Sequence, residues 1–387
     1  MAASNLGPDS KSMASRMDSL AQQLSATAER VRDSPASLDG SEKERSKLVE
    51  YAEALLKVLK PADPVMDAAV TLVQLTAIRL FIGWKAFEAI PSNGSISQSD
   101  LAAKVGAEVP LITRLAAVLV STGVLTQVGD DQLAHTRVSA TYVSGNPMAA
   151  IVQMIFDDHL RTLHAMPAYF TEHGLKEPTG RYKTVYAFAA GDPDLTIWEH
   201  MNRFPERKAN FMASMAAMTG RIPTTGSYDF SWILDEMSDA GDRALVVDVG
   251  GGSGHALQAI AKATPGLPMN RCVVEDLEAV VEEVKATATG DVKEAQFVAM
   301  DFHSKQPVKE LIRKAMAEDS RLLIVEQVLG HPPSPFAFAN DIYMATIGGK
   351  ERTLEGFRAI TSRAGLKITK VHPTPGSEVA VIECKTA

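Results

Sequence analysis

A glycine-rich turn in residues 244–266 carries the clearest chemical signal in the 387-residue chain. The apolar run Leu245–Val249 has the composition of a buried strand, and Gly250, Gly252 and Gly254 follow it before a helical pattern begins. Glycine permits positive φ and lets a ligand touch the backbone, and a helix N-terminus presents free N–H groups. This order of strand, turn and helix predicts a ligand-binding turn.

The spacing of the turn separates classes of ligand. A dinucleotide site has the pattern G-x-G-x-x-G, but His255 occupies the sixth position here. A phosphate loop has Lys and Ser or Thr after its second glycine, and this turn has no such pair. Asp248, inside the strand, would repel a pyrophosphate but suits a ligand with a cationic amino-acid end. S-adenosylmethionine is such a ligand, and we predict it as the cofactor.

The next two predicted strands also end in polar groups. The strand "RCVVED" ends at Asp276, whose carboxylate can accept both hydroxyls of a ribose; the alternative is an ordinary N-cap of the following helix. The strand "QFVAM" is followed by Asp301 and Phe302, which we expect to contact the amino group and the ring of adenine. Three successive strand ends with suitable groups indicate one cofactor site.

The elements around these residues indicate the fold class. From Arg243 onward strands alternate with helices, which predicts an α/β fold with a parallel sheet. Residues 146–220 are helical in pattern and rich in methionine, which usually forms adaptable core but can also line a pocket for a flat aromatic ligand. Our candidates for substrate contact are Met154, His159, Met166 and Met344.

Residues 95–136 read as helix, turn, helix and two short strands around "GDD", a winged-helix pattern. The second helix, about 109–121, has Arg114 as its single basic residue, and the chain has a formal net charge of −8. A DNA-recognition helix needs several phosphate and base contacts. We therefore expect a packing and dimerisation module that does not bind nucleic acid.

Composition and cysteine content are typical of a soluble globular protein, at 45% hydrophobic and 22% charged residues. Cys272 and Cys384 lie in apolar runs and read as buried residues in a reducing compartment. The long apolar segment near residues 65–87 is interrupted by Asp67, Arg79 and Lys85, which favours a buried or interface helix over a membrane span. We expect a cytoplasmic protein without a secretion signal and without a metal site.

These patterns predict that the chain consists of four segments. They are a flexible or helical N-terminal extension (1–45), a winged-helix-like dimerisation domain (46–145), a helical substrate-pocket segment (146–225) and an S-adenosylmethionine-binding Rossmann-like domain (226–387). The last boundary lies near "IPTTGSYDF", which interrupts the helical pattern.

Several motifs together resemble a known family: "VVDVGGGSGH", "VVEDLEAVV", "FVAMDF", "RLLIVEQVL", "IGGKERTLEGFRAITSRAGLKI" and "VAVIEC". The chain resembles the class I, cation-independent O-methyltransferases of the caffeic-acid type, in particular their fungal secondary-metabolism branch. The resemblance covers nearly the whole chain. It implies a Rossmann-like class I methyltransferase sheet with an N-terminal all-α/winged-helix dimerisation domain, a homodimer, and a small-molecule substrate.

The resemblance also implies a mechanism. A histidine of the family removes the proton of a phenol or similar hydroxyl, and the oxygen then attacks the sulfonium methyl group in line. Two glutamates orient that histidine, and they correspond to Glu326 in "LIVEQVL" and Glu351 in "GGKERT". A neutral imidazole is a suitable base for a phenol at neutral pH, and such a base contributes about 10²–10⁴-fold to the rate.

The sequence departs from the family where the histidine should be. A block that reads roughly "ADVYxLRxVLHDWPD" should lie between "DF" and "RLLIVEQ", but residues 303–320 hold a polar turn and one helical pattern instead. On the order of 20 residues, including a strand, are missing by comparison with usual connection lengths. We expect either two unpaired inner strand edges or a shift of Leu322–Leu329 into the vacant position, and in both cases a displaced Glu326.

Other histidines are candidates for the lost base. His303 is nearest in sequence to the gap, and His331, His135, His159 and His164 are further candidates, each with an ordinary packing or surface role as the alternative. Two other functions also stay open: a cofactor-binding pseudo-methyltransferase that catalyses pericyclisation or dehydration, and an inactive product of mis-splicing.

Overall fold

The computed structural model describes residues 8–33, 42–59, 63–219, 225–237, 241–288, 290–301, 315–330, 334–375 and 377–387. The chain divides into two compact units, residues 1–75 and 76–387. The first unit contains α1 (Pro8–Asp33), α2 (Glu42–Leu59) and the beginning of α3 (Pro64–Gly83). The two helical patterns expected on either side of "PADP" are therefore confirmed, whereas the predicted boundaries at 45, 145 and 225 remain predictions.

Helix α3 has an exposed half and a buried half. Its first turns expose apolar side chains such as Val65, Val70 and Val73, and its last turns bury Ile78 and Phe81. By length and composition it is the one helix in the described part of the chain that could cross a membrane, which is weak evidence because core helices of soluble proteins pass the same test.

The winged-helix prediction is confirmed. Three helices and a three-stranded antiparallel sheet in the order β1-β3-β2 form this region. The elements are α4 (Ala86–Ala89), β1 (Ile96–Ser97), α5 (Gln98–Val105), α6 (Val109–Ser121), β2 (Leu125–Val128) and β3 (Gln132–His135). The Ser97 hydroxyl accepts a hydrogen bond from the Asp100 N–H and thereby caps α5, as expected for serine before a helix.

Residues 147–219 are largely helical, as predicted from their pattern, with a long non-helical connection at 174–184. The elements are α7 (Pro147–Met154), a π-helical turn (Ile155–Leu160), α8 (Arg161–His173), α9 (Val185–Ala190), α10 (Ile197–Asn202) and α11 (Pro205–Thr219). Three of these helices have a side-chain N-cap: Asn146 caps α7, Thr184 caps α9 and Thr196 caps α10. These side chains satisfy N–H groups that a helix start leaves without partners.

The C-terminal region begins with three parallel strands in the order β4-β5-β6, which confirms the predicted alternation. Its elements are α12 (Trp232–Asp235), β4 (Val246–Val249), α13 (His255–Ala263), β5 (Cys272–Asp276), α14 (Glu278–Thr287) and β6 (Gln296–Ala299). Cys272 and Cys384 are buried as expected, and burial raises the pKa of both thiols to about 11.

A second sheet follows in the order β8-β7-β10-β9. Its elements are β7 (Leu322–Leu329), α15 (Pro335–Thr346), β8 (Arg352–Thr353), α16 (Leu354–Arg363), β9 (Leu366–Pro373) and β10 (Val379–Thr386). Strand β10 pairs antiparallel with β7 and β9, and β8 pairs parallel with the last two residues of β7. Within the described residues, β4 pairs with β5 alone, so the sheet consists of two halves.

A cavity of about 520 Å³ lies at the break between the halves. Its lining includes Val247, Val249 and Glu275 from one half-sheet and Met316 and Leu322 from the approach to the other. Among the described strands, β7 does not pair with β4, so it has not moved into the position beside β4, and the expectation of two unpaired inner edges stays a prediction. The seam itself, residues 302–314, lies outside the described residues.

Among the described residues, side chains join the two halves. Arg243, just before β4, forms a two-point ion pair with Asp319, just before β7, at 2.8 and 2.6 Å. The Arg321 guanidinium lies 3.8 Å from the centre of the Trp232 ring. One apolar layer joins both halves, because buried residues of α12, β5 and β10 pack in a single cluster.

The segment between α8 and α9 crosses the turn that follows α15. Gly348 has φ +76°, and a Cβ atom there would overlap the carbonyl oxygen of Gly180. An exposed ion pair between Lys350 and Glu177, at 2.8 Å, joins the same two segments. Gly348 is therefore required both by its backbone conformation and by this close crossing.

We predict that Gly348→Ala lowers the free energy of unfolding more than Gly106→Ala does. Both glycines have positive φ, but a Cβ at Gly106 would have no atom within 4 Å. The matched control should therefore lose about 1–2 kcal/mol for the left-handed conformation, and Gly348→Ala about 1–3 kcal/mol more for the overlap. Thermal unfolding measures the stability of both variants. An equal decrease in Tm for the two would contradict the close contact between Gly348 and Gly180.

Candidate functional site

The glycine turn is fixed on the end of β5. The N–H groups of Gly250 and Gly251 both donate to the Glu275 carbonyl oxygen, at 2.7 and 3.2 Å. Gly250, Gly252 and Gly254 have φ of +73°, +52° and +75°, a region that favours glycine. Helix α13 begins directly afterwards, so the turn presents its backbone at the helix start, as predicted.

Asp276 binds the turn from the tip of the neighbouring strand. Its Oδ2 accepts the Gly252 N–H at 2.8 Å, and its Oδ1 accepts the Leu277 N–H at 2.7 Å. Leu277 is itself the N-cap of α14, so the Asp276 side chain does not cap that helix in the usual way. A carboxylate has about four acceptor positions, and about two therefore remain for a ligand.

Asp248 contributes a carboxylate oxygen without a partner. Its Oδ2 is buried and has no hydrogen bond from the described residues. Burial, with a smaller effect from the Asp276 charge, raises the pKa of Asp248 above its usual value. An unsatisfied buried acceptor of this kind is unfavourable by about 1–3 kcal/mol unless a ligand donates to it.

The third strand end also lies at this edge. Strand β6 pairs parallel with β5, and the Met300 N–H just beyond it donates to the Asp276 carbonyl oxygen at 2.8 Å. Asp301 follows as a half-buried residue. The predicted site residues Phe302 and His303 lie outside the described residues. The structure thus brings together the acidic groups of three adjacent strand ends.

A second polar cluster surrounds Glu351. The Asn340 amide donates to Glu351 Oε1 at 2.9 Å, and the Glu351 N–H donates to the Asp341 carboxylate at 2.8 Å. Burial is the largest cause that raises the pKa of Glu351 to about 7, followed by the charges of Glu326 and Asp341. Glu326 and Glu351 are therefore neighbours, as the resemblance implies. Asn340 and Asp341 were missed, since no sequence signal links α15 to Glu351.

The four candidate substrate residues lie in different surroundings. Met154 is buried, and its sulfur accepts a hydrogen bond from the Ser214 hydroxyl at 3.0 Å, so it packs between α7 and α11. Met166 is half-buried on α8, and the half-buried Met344 lies against Gly349. His159 is half-buried, and its ring stacks on that of Tyr343 at 4.0 Å. Their contact with a substrate remains a prediction.

Two further histidine candidates, His135 and His164, lie within the described residues. Both ring nitrogens of His135 are hydrogen-bonded, to Ser139 Oγ at 2.9 Å and to the Phe87 carbonyl oxygen at 3.0 Å, which makes it a packing residue. His164 is exposed on α8, and His331 lies outside the described residues. Within the described ranges no group of three or more His, Cys, Asp or Glu side chains is arranged to hold a metal ion.

We predict that Glu351→Gln stabilises the protein at pH 8 and has little effect near pH 4.5. Because the pKa of Glu351 is raised in the folded protein to about 7, its carboxyl contributes stability below its unfolded pKa that is lost as pH rises through about 7. We expect a gain on the order of 1–3 kcal/mol at pH 8. Thermal unfolding of both variants is measured across this pH range, with the exposed Glu282→Gln as control. If the two variants show the same dependence of Tm on pH, the raised pKa of Glu351 would be contradicted.

Comparison with solved structures shows the same fold. The chain superposes on OxaC with a TM-score of 0.80 at 21% identity, over 97% of this chain and 100% of that one. It superposes on LepI, solved in complex with S-adenosylmethionine, with a TM-score of 0.74 at 20% identity, over 95% and 100% of the two chains.

Sequence comparison shows relatives over most of the chain. Methyltransferase cfoD of Aspergillus candidus is 32% identical over 89% of this chain and 92% of its own length. Methyltransferase pynC of Aspergillus niger is 35% identical over 82% and 95%, and O-methyltransferase kntB of the same species is 27% identical over 95% and 94%.

Two family models match the chain, one over the winged-helix region and one over the region that follows it. Residues 66–145 match the O-methyltransferase dimerisation domain, which contains the winged helix. Residues 173–367 match the O-methyltransferase domain, which contains the glycine turn, the three strand ends and the glutamate cluster. The chain therefore belongs to the O-methyltransferase family.

Proposed function

We propose that this protein transfers the methyl group of S-adenosylmethionine to a hydroxyl oxygen of a small aromatic or polyketide secondary metabolite. The observation that carries the proposal is the buried, unpartnered Oδ2 of Asp248 beside the glycine turn. A cationic amino group satisfies such an oxygen, whereas a phosphate would be repelled. Membership of the O-methyltransferase family agrees with the same cofactor.

The residues present fit this cofactor. Asp248 would receive its ammonium group, and the remaining acceptor positions of Asp276 would receive the ribose hydroxyls. The glycine turn would allow the amino-acid end to approach the backbone, and Asp301 would accept from the adenine amino group. When bound, the sulfonium supplies an electrophilic methyl group. The chain's own task is then to remove a proton from the acceptor hydroxyl.

The glutamate cluster supports that task. A carboxyl with a pKa of about 7 is partly protonated at neutral pH, so Glu351 would donate or accept a hydrogen bond beside Glu326. Asn340 and Asp341 hold Glu351 in place. This arrangement would orient a base or the acceptor hydroxyl, in the role that the resemblance gives to the two glutamates.

A cofactor-binding enzyme without methyl transfer is the second candidate. One solved structure that this chain resembles, with a TM-score of 0.75 at 20% identity, is that of a pericyclic reaction enzyme. The observation in its favour is the sequence 303–320, which lacks the histidine block of the family. The split sheet is also compatible with an inactive, mis-spliced product. The proposal for methyl transfer rests on the intact acidic groups of the cofactor side.

We also propose a homodimer in the cytoplasm. The match to a dimerisation domain and the exposed apolar side chains of α3 support a second copy as partner. The substrate remains a small molecule of unknown structure.

Methyl transfer is tested directly. Calorimetry first measures binding of S-adenosylmethionine to the full chain, and incubation with the methyl-labelled cofactor and a panel of phenolic polyketides follows. We expect binding and label in an acceptor. Binding without label in any acceptor would favour the pseudo-methyltransferase, and absence of binding would favour the inactive chain.

We predict that Asp248→Asn weakens cofactor binding by about 10–100-fold, because a hydrogen bond to a charged group contributes about 1.5–3 kcal/mol. The matched control is Asp242→Asn, an exposed residue before the same strand. Calorimetry measures both affinities, and unchanged Tm values show that both variants fold. Equal affinity of the Asp248 variant and the wild type would contradict the assigned contact.

A further inference from the structure

The ring of His159 differs from those of the other described histidines. Its Nδ1 is buried without a hydrogen-bond partner in the described residues. Its Nε2 also has no hydrogen-bond partner among the described residues, and it keeps some accessible surface. A half-buried imidazole with no described partner at either nitrogen is available to bind a ligand.

The remaining described histidines are engaged or exposed. His135, His173, His200, His255 and His372 each make at least one ring hydrogen bond to Ser139 and Phe87, Tyr169, Tyr186, Ser253 and Glu383, respectively. His164 is exposed. His159 therefore stands alone among the described histidines as half-buried and unpaired.

The backbone that carries His159 is unusual and well fixed. His159 lies in the π-helical turn, a rare element that is frequent at functional sites. Its two preceding neighbours are anchored by ion pairs: Asp157 binds Arg79 at 2.8 Å, and the buried Asp158 binds Arg207. These ion pairs fix the π-helical turn, and the His159 ring packs against another element.

That element is α15, which also carries the glutamate cluster. The His159 ring stacks on Tyr343 with an interplanar angle of 27°. Asn340 lies three residues before Tyr343 on the same helix face and donates to Glu351. Tyr343, on which His159 stacks, therefore lies within one helical turn of Asn340, which contacts Glu351.

The charge state of the ring suits a base. Burial lowers the pKa of His159, and Asp158 of the same turn partly opposes this effect. Tyr343, which packs against it from α15, is a neutral phenol at this pH, and burial raises its pKa further above the ordinary value. At neutral pH the imidazole is uncharged and has a lone pair to accept a proton.

We propose that His159 is the catalytic base that accepts the hydroxyl proton of the acceptor in the methyl transfer. This inference rests on the proposed function. The O–H bond of the acceptor breaks and its proton goes to Nε2 of His159, while Nδ1 keeps its hydrogen. The freed electron pair forms the new bond from oxygen to the methyl carbon, and the pair of the broken carbon–sulfur bond stays on sulfur. The base is thereby supplied by the helical segment and not by the sequence before β7.

The test compares His159→Gln with the matched control His164→Gln, an exposed histidine of the adjoining helix. With the acceptor found in the labelling panel, we expect the His159 variant to lose about 10²–10⁴-fold in kcat, with unchanged cofactor affinity and Tm. The acidic limb of its pH–rate profile should also disappear. A kcat within threefold of the wild type would overturn the inference and leave the methyl transfer itself intact.

A second readout does not depend on turnover. 4-Nitrophenol, whose phenolate absorbs visible light, is titrated into the cofactor-free full chain. We expect the wild type and the His164 variant to raise the phenolate fraction of the probe, and the His159 variant not to do so. If all three proteins give the same phenolate fraction, or if none of them raises it, the result would count against His159 as the base. If the wild type transfers no methyl group, the proposed function fails, whereas this readout still decides whether His159 accepts a proton.

Discussion

The cofactor side of the site depends on one hydrogen bond, from the Gly252 N–H to the Asp276 carboxylate. It joins the turn after β4 to the tip of β5, and the parallel register of these strands brings the two groups within reach. With the turn held by Asp276, the neighbouring Asp248 is left with an oxygen that no described residue satisfies. The Asp276 carboxylate therefore shapes the turn, and the Asp248 carboxylate is the one that we propose to contact the cofactor ammonium group.

The glutamate cluster is built on different elements. Glu326 comes from β7 of the second half-sheet, and Glu351 is held by α15. Because the described strands β4 and β7 do not pair, the alignment of the two sides relies on side-chain packing and on contacts such as Arg321 over Trp232. Packing of this kind fixes positions less strictly than a continuous ladder of backbone hydrogen bonds.

The parts that could be predicted from the sequence are those with local causes. The glycine turn follows from residues within one strand–turn–helix unit, and the wing follows from periodicity around "GDD". The stack of His159 on Tyr343 and the crossing of Gly180 over Gly348 join residues far apart in the chain, and their types alone do not reveal the contact. Spacing thus predicted the glycine turn and its place at the start of a helix, whereas the surroundings of Glu351 could be described only from the fold.

The break in the sheet has a consequence for the protein at high concentration. Val247 and Val249 of β4 are 47% and 41% exposed, although they belong to a strand that would be central in an unbroken sheet. The two valines lie on one face of β4, towards the cavity, and the backbone edge of this strand opposite β5 is not paired by any described strand. Because unpaired strand edges can pair between molecules, we expect this region to favour association of the protein at high concentration.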